Sequence, residues 1–272
     1  MIANARMYSV CAQTGASWGA LLSTVAKTAG LDIAVVEHKA PLPIGELWRR
    51  ADMAAVFMCG LPYSRSQPRP VLVAAPIPSP AAFKGQPAYW SEWVVHKDSA
   101  FADIEATFGG RLALTEPNSQ SGFAAALEYL MPHGGSDALY REVIAPAVNP
   151  LGAVNAVISR TADISLVDAF ALALLRRYRS DLTSQIRVVG RTASTPIPVL
   201  VASFAGLDAL TEALMKAHRD PALHEVMSDL LLERFVSPDP AQYDALRVNF
   251  EAAVSFWRAH RLARIVHPAF VV

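Results

Sequence analysis

Apolar residues along the first ninety positions fall into short, nearly unbroken runs with amphipathic stretches between them. MYSVCA (7–12), LDIAVVEH (31–38), MAAVFMC (53–59) and PVLVAAPI (70–77) predict strands. GASWGALLSTVAKTAG (15–30) has apolar positions at helical spacing and stops at Gly30. IGELWRRAD (44–52) predicts a shorter helix after the breaks at Pro41 and Pro43. Strands that are apolar on both faces and alternate with helices predict a parallel sheet covered on both sides.

The alternation restarts near Tyr89. YWSEWVVHKDS (89–99), RLALTEP (111–117), ISLVDA (164–169) and QIRVVGRT (185–192) predict strands, the last running on into STPIPVLVAS (194–203). FADIEATFGG (101–110), SQSGFAAALEYLM (119–131), FALALLRRY (170–178) and the later part of 141–163 predict helices. From Leu207 the pattern is helical, in blocks 207–220, 221–235 and 240–264. The expected architecture is α/β with two lobes: residues 1–90 plus 195–272, and residues 91–194. Two crossing strands, near Ala88–Ser91 and Arg191–Val199, would join them, with the C-terminal helices packing on the first lobe.

Composition narrows the function. The 272 residues are enough for a sizeable core, and 24 basic residues balance 24 acidic ones. A neutral chain without a basic stripe is a poor nucleic-acid binder. The longest apolar runs, Met53–Leu61 and Ala169–Leu175, fall far short of the ~20 residues that span a bilayer, so no membrane insertion is expected. MIANARMYSVCAQTG holds Arg6 but no stretch long enough for a signal peptide. The chain as written is expected in the cytoplasm, or in the periplasm if a leader was removed ahead of residue 1. Two cysteines, Cys11 and Cys59, do not describe a disulfide scaffold; each is read as ending a strand, buried and inert. Histidines 38, 96, 133, 218, 224, 260 and 267 are scattered without ligand spacing, so no metal or other cofactor is expected.

The segment that carries chemistry is RLALTEPNSQSGFAAALEYL (111–130). A strand ends near Thr115–Pro117 and a helix begins among small polar residues. Asn118, Ser119 or Gln120 can serve as its N-cap. The first N–H groups of a helix have no intrahelical acceptor and carry the positive end of its dipole. With the hydroxyls of Ser119 and Ser121, and with Gly122 permitting close backbone approach, the turn suits phosphate, phosphonate, sulfonate or carboxylate. An ordinary capped helix would read the same way.

Four stretches resemble the phosphonate-binding group of ABC-transporter solute-binding proteins. They are Glu92–Leu130 with Lys97-Asp98-Ser99 and EPNSQSG (116–122); NAVISRTADISLVDA (155–169); RTASTPIPVLVAS (191–203); and FVSPDPAQYDALR (235–247). They occur in the family's order and cover most of residues 90–250. The resemblance implies a type 2 periplasmic-binding-protein-like fold, whose hinged lobes close on a small anionic ligand, and an ABC permease as partner. It puts Ser119, Gln120 and Ser121 where the family grips an anionic head group and Tyr63 near an aromatic ligand contact. Asp168 falls at a strand end facing the cleft, where it would touch ligand or cap the next helix. Two positions depart from the family pattern: 148–152 reads Val-Asn-Pro-Leu-Gly in place of a Gly-x-His segment, and Arg160 stands where Gly is usual.

Other candidates follow from strand ends, because ligands of open α/β sheets bind beyond the carboxyl ends of strands. Thr14 and Ser17, with Gln13 and Gly15, lie after the first expected strand, and CGLPYSR (59–65) with Arg65 after the third. Tyr89, Trp90 and Trp93 cluster at the first crossing; alternation puts Tyr89 and Trp93 on one face, as a ligand wall or as core. No Ser-His-Asp order, nucleophile elbow or phosphate-binding Walker loop is present, so no catalytic residue is expected. The rival to solute binding is a cytoplasmic biosynthetic enzyme on the same scaffold, of the thiamine-pyrimidine or menaquinone type.

Overall fold

The computed structural model describes residues 1–263; His267 and the end of the last expected helix lie outside the described residues. The chain forms two compact units, Met1–Tyr89 with Pro196–Tyr243, and Trp90–Thr195 with the segment from Asp244. The C-terminal helices therefore divide: those before Tyr243 stay with the first unit, whereas the last helix groups with the second. The expected two crossings become three, the additional one at Tyr243–Asp244.

In chain order, the first segment holds β1 (Ile2–Asn4), α1 (Ala12–Thr28), β2 (Ala34–Val35), α2 (Ile44–Trp48), β3 (Met53–Met58), α3 (Gly60–Arg65), β4 (Val71–Pro78) and β5 (Ala88–Tyr89). Then come β6 (Ser91–His96), β7 (Arg111–Ala113), a π-helical turn (Gln120–Ala124) continuing into α4 (Ala125–Leu130), and β8 (Glu142–Ile144). They are followed by α5 (Pro150–Ile158), β9 (Ile164–Asp168), α6 (Ala169–Tyr178), α7 (Ser180–Thr183) and β10 (Ile186–Arg191). The rest comprises β11 (Thr195–Pro196), β12 (Val199–Ala202), α8 (Asp208–Lys216), α9 (His224–Asp229), β13 (Leu232–Val236) and α10 (Ala241–Ala259).

The first unit is built on a sheet of order β13-β4-β12-β3-β1-β2. Its central strands β3 and β12 are buried at every residue, as expected of strands covered on both faces. The sheet is mixed rather than parallel: β12 runs antiparallel to both β3 and β4, and β13 antiparallel to β4. Helix α1 buries Trp18, Leu21, Leu22, Val25 and Ala26 along one stripe. Trp18 and Tyr8 both meet Phe57 of β3 edge-on, at 5.0 and 5.3 Å between centroids. Gly30 ends α1 as expected: at φ +67° it lets Leu31 N–H reach the Ala26 carbonyl (3.0 Å) while its own N–H bonds Lys27 O (3.0 Å).

Several expected elements move. The first strand is Ile2–Asn4, not 7–12: Tyr8 closes a turn onto Ala5, and the Thr14 hydroxyl accepts from Cys11 N–H (3.1 Å) and donates to Cys11 O (3.0 Å), starting α1 at Ala12. Cys11 thus heads a helix rather than ending a strand. Of 31–38 only Ala34–Val35 pairs, and of the helix expected at 101–110 only a 3₁₀ turn at Glu105–Thr107 forms. Residues expected as the end of a helix at 221–235 form β13, because Leu231 adopts φ +53°, ends the helical turn and releases an edge strand that pairs with β4.

The second unit carries a sheet of order β10-β6-β9-β7-β8, with β7, β8 and β9 parallel and β6 antiparallel to its neighbours β9 and β10. Trp93, Val94, Val95, Leu112, Leu166 and Phe170 form its core with the buried face of α4. From α10, Trp257 donates its indole N–H to Leu127 O (2.9 Å), and Phe250 meets Phe123 at 6.3 Å. These contacts place the last helix with this unit. Asp163 ties the turn after α5 to β7: it accepts the Arg111 N–H (2.7 Å) and pairs with the Arg111 guanidinium at 3.2 Å. Burial acts to raise the Asp163 pKa, but those hydrogen bonds and the Arg111 and Arg141 charges overcome it and hold the carboxyl below its usual range.

Arg160, beside that turn, sits at φ +58°, where only Gly is unstrained, while its carbonyl accepts from Arg111 Nη2 (2.7 Å). This geometry is a physical reason for Gly at that position. Arg160→Gly is expected to raise stability by about 0.5–1 kcal/mol, the relief of left-handed strain exceeding the entropy gained by the unfolded glycine chain. A urea midpoint lower than that of the parent would count against the strain argument.

Candidate functional site

The second unit gathers its small polar groups at the carboxyl ends of β7 and β9. After β7, Thr115 donates its N–H to Gly122 O (3.0 Å), folding EPNSQSG back on the strand end. Ser119, in an extended conformation, is the N-cap among the three residues expected to compete for it. Its Oγ accepts Gly122 N–H (2.9 Å) and its carbonyl accepts Ala124 N–H (3.0 Å), the i→i−5 bond of a π turn. A helical start of this kind leaves the N–H groups of Gln120 and Ser121 without an acceptor inside the turn. Gln120 is fully buried and Ser121 is 8% exposed, whereas Asn118 is exposed and takes no part in the cap.

Gly122 is required by contact, not by dihedral angle. A Cβ there would lie 2.1 Å from Thr115 Oγ1 and 2.7 Å from its Cγ2. Thr115 itself is 4% exposed, and its Oγ1 is buried without a hydrogen-bond partner.

Ser91, at the start of β6, links this turn to β9. Its Oγ donates to Ser121 O (2.9 Å), and in register it stands opposite Asp168. Ser91 and Thr192 also exchange two bonds of 3.0 Å, Ser91 N–H to Thr192 Oγ1 and Thr192 N–H to Ser91 O. Asp168 is 4% exposed, and its Oδ1 accepts the N–H groups of Phe170 (2.8 Å) and Ala171 (2.9 Å), the N-cap of α6. The structure thus brings Ser121 and Asp168 together around Ser91. Sequence reading missed Ser91, Thr115 and Thr192, which lie at the start of β6 and just after β7 and β10; no local pattern singles them out.

Thr14, Ser17, Tyr63 and Tyr89 lie in the first unit, and Trp90 and Trp93 in the second. Thr14 spends its hydroxyl on the start of α1, and Ser17 donates to Asp229 Oδ2 (3.3 Å), which Gln13 also reaches (3.2 Å). Tyr63, on α3, is 3% exposed; it meets Tyr243 edge-on at 5.2 Å and lies under the Arg69 guanidinium at 5.6 Å. Burial and the nearby Tyr63 push the Tyr243 hydroxyl pKa up, and that hydroxyl donates to Ile197 O (3.0 Å). Tyr89 and Trp93 are buried, and Trp90 is half-buried with Arg191 over its ring at 5.9 Å. Cys59 is the residue before α3, and neither Cys11 nor Cys59 is in a disulfide. Among the described residues no helix is long and apolar enough to cross a membrane.

Two mixed α/β units with these strand orders form the fold of type 2 periplasmic binding proteins. The binding protein component of an ABC phosphonate transporter from Pseudomonas aeruginosa superposes with a TM-score of 0.78 at 17% identity, over 94% of this chain and 88% of that one. PhnD1 from Prochlorococcus marinus, in complex with methylphosphonate, gives 0.76 at 12% identity, over 92% and 96%. A Xanthomonas citri protein bound to ATP gives 0.66 at 16% identity, over 94% and 98%. No curated protein sequence matches the chain. The family model described as ABC transporter, phosphonate, periplasmic substrate-binding protein matches residues 12–243, and the chain belongs to that family. Its function is accordingly that of a solute-binding protein rather than of a biosynthetic enzyme on the same scaffold.

Proposed function

We propose that the chain holds a small anion, of the phosphonate, phosphate, sulfonate or carboxylate class, on the Ser119-capped turn, with the charge on the N–H groups of Gln120 and Ser121. The carrying observation is the turn itself: Ser119 Oγ takes Gly122 N–H and Ser119 O takes Ala124 N–H, so the first two amides are those the turn leaves for a ligand. Ser121 Oγ and Thr115 Oγ1 are further candidates to donate to the anion, Asp168 is a candidate for a ligand amine or hydroxyl, and Thr14, Ser17, Tyr63 and Tyr89 are candidates from the first unit. The methylphosphonate of the Prochlorococcus relative belongs to this anion class. Delivery to an ABC permease in the periplasm is the physiological role that family membership supports.

Calorimetric titration with methylphosphonate, inorganic phosphate, sulfate, methanesulfonate and acetate tests this. The double variant Ser119→Ala/Ser121→Ala is expected to weaken the best of these by about 30- to 300-fold, as loss of the Ser119 cap on the turn and of one charge-assisted hydroxyl donor at Ser121 implies. Unchanged affinity in a variant that still melts cooperatively would remove the turn from the site.

A further inference from the structure

Behind the turn lies a polar group that the site does not use directly. Gln120 is fully buried, and both its amide Nε2 and Oε1 lack a hydrogen bond of ordinary length and angle. Its amide lies near enough to Glu128 of α4 to favour the ionised carboxylate, as does Asn249 of α10, yet Glu128 Oε1 is also buried without a partner. One continuous helical segment, Gln120–Leu130, therefore carries the anion turn at its start and a largely buried carboxyl near its end.

Like charges on one short helix oppose each other. Eight residues at 1.5 Å rise put Glu128 about 12 Å from Gln120. At an effective dielectric of about 20, two unit charges at that distance change each other's occupancy about tenfold. Among the described residues the groups acting on Glu128 are amides, with no cation against it. On α10, Arg247 pairs with Glu251 at 3.1 Å; Asp244 and Arg258 have partners, and His260, just beyond the helix, bonds Phe256 O. On its own helical run, His133 stands 3.7 Å from Glu105, and Tyr129 stacks with His133. A protonated Glu128 would offer a donor to Gln120 Oε1, satisfying two orphaned atoms at once.

We propose that the Glu128 carboxyl takes up a proton from solvent when an anion occupies the Gln120 turn, so that pH sets the affinity of the site through the buried Gln120–Glu128 pair. This rests on the assignment of the anion to that turn. Burial, working against Gln120 and Asn249, pushes the carboxyl up to about 7, so the effect falls in the neutral range.

The test is titration of methylphosphonate into the parent and Glu128→Gln proteins at pH 5.5 to 8.5, in buffers of different ionisation enthalpy. Glu128→Gln carries the ligand's own titration unchanged and serves as reference. The expected result is an affinity ratio, variant over parent, near one at pH 5.5 and rising to about tenfold at pH 8.5, with proton uptake in the parent that the variant lacks. The carboxyl carbon of Glu128, followed by NMR, should titrate at higher pH with methylphosphonate present than without. A flat ratio with equal proton uptake overturns the coupling and leaves the anion turn standing. Absence of binding by both proteins at every pH overturns the anion turn and the coupling with it.

Discussion

Gly122→Ala should abolish high-affinity anion binding and destabilise the second unit by roughly 2–4 kcal/mol, the range of an unrelieved core overlap. The added methyl would have to share space with Thr115 Oγ1 at 2.1 Å, Cγ2 at 2.7 Å and Cβ at 2.9 Å. Because Thr115 Cβ is itself in the overlap, no rotamer of this β-branched residue clears it, and shifting its backbone breaks the N–H bond to Gly122 O that folds the turn back. Moving Gly122 instead would pull its N–H away from Ser119 Oγ and Ser121 O away from Ser91 Oγ. Either adjustment displaces the amides proposed to hold the ligand. The partner of the clash gives a sharp control: Thr115→Gly in the Gly122→Ala background removes all three contacts and should recover more stability than it recovers in the parent. Equal effects of Thr115→Gly in both backgrounds, measured by urea unfolding, would show that the overlap is not what confines position 122 to glycine.

Local chemistry made this turn legible. Ser119, Ser121 and Gly122 sit at a strand-to-helix junction, and the cap, the helix and the strand before it are all short-range features. Gly30 was legible for the same reason, since a glycine after an amphipathic run is the ordinary left-handed stop. What sequence could not show was decided by partners distant in the chain. Leu231 takes a left-handed conformation with no glycine to announce it, and only the free edge of β4 makes Leu232–Val236 a strand. Ile2–Asn4 is too short to carry a strand pattern; its place is fixed by pairing with β2 and β3. Helix α10 has the period of any amphipathic helix, and its assignment to the second unit rests on where Phe250 and Trp257 find Phe123 and Leu127. Ser91 and Thr192 escaped for the same reason: nothing local says that strands 101 residues apart will exchange hydrogen bonds.

Glu128→Gln should make the protein more stable at alkaline pH than the parent, and progressively less so as pH falls. Burial raises the folded-state pKa of Glu128 from 4.5 to about 7, outweighing the lowering by Gln120 and Asn249. A carboxyl whose folded value lies above its unfolded value binds its proton more tightly in the folded state. Its contribution is fully present below about 4.5 and is lost as pH rises through about 7. Ionising Glu128 in place then costs about 3 kcal/mol relative to ionising it in the unfolded chain. The amide of a glutamine avoids that cost and can still meet Gln120 and Asn249. The gain in unfolding free energy of Glu128→Gln over the parent should therefore grow by about 2–3 kcal/mol between pH 4.5 and pH 8.5, most steeply between about pH 5 and 6.5 and levelling off above about 7. Urea unfolding across that range measures it. A gain that stays constant with pH would mean that the carboxylate is solvated where it stands, and that the unpartnered Oε1 carries no penalty.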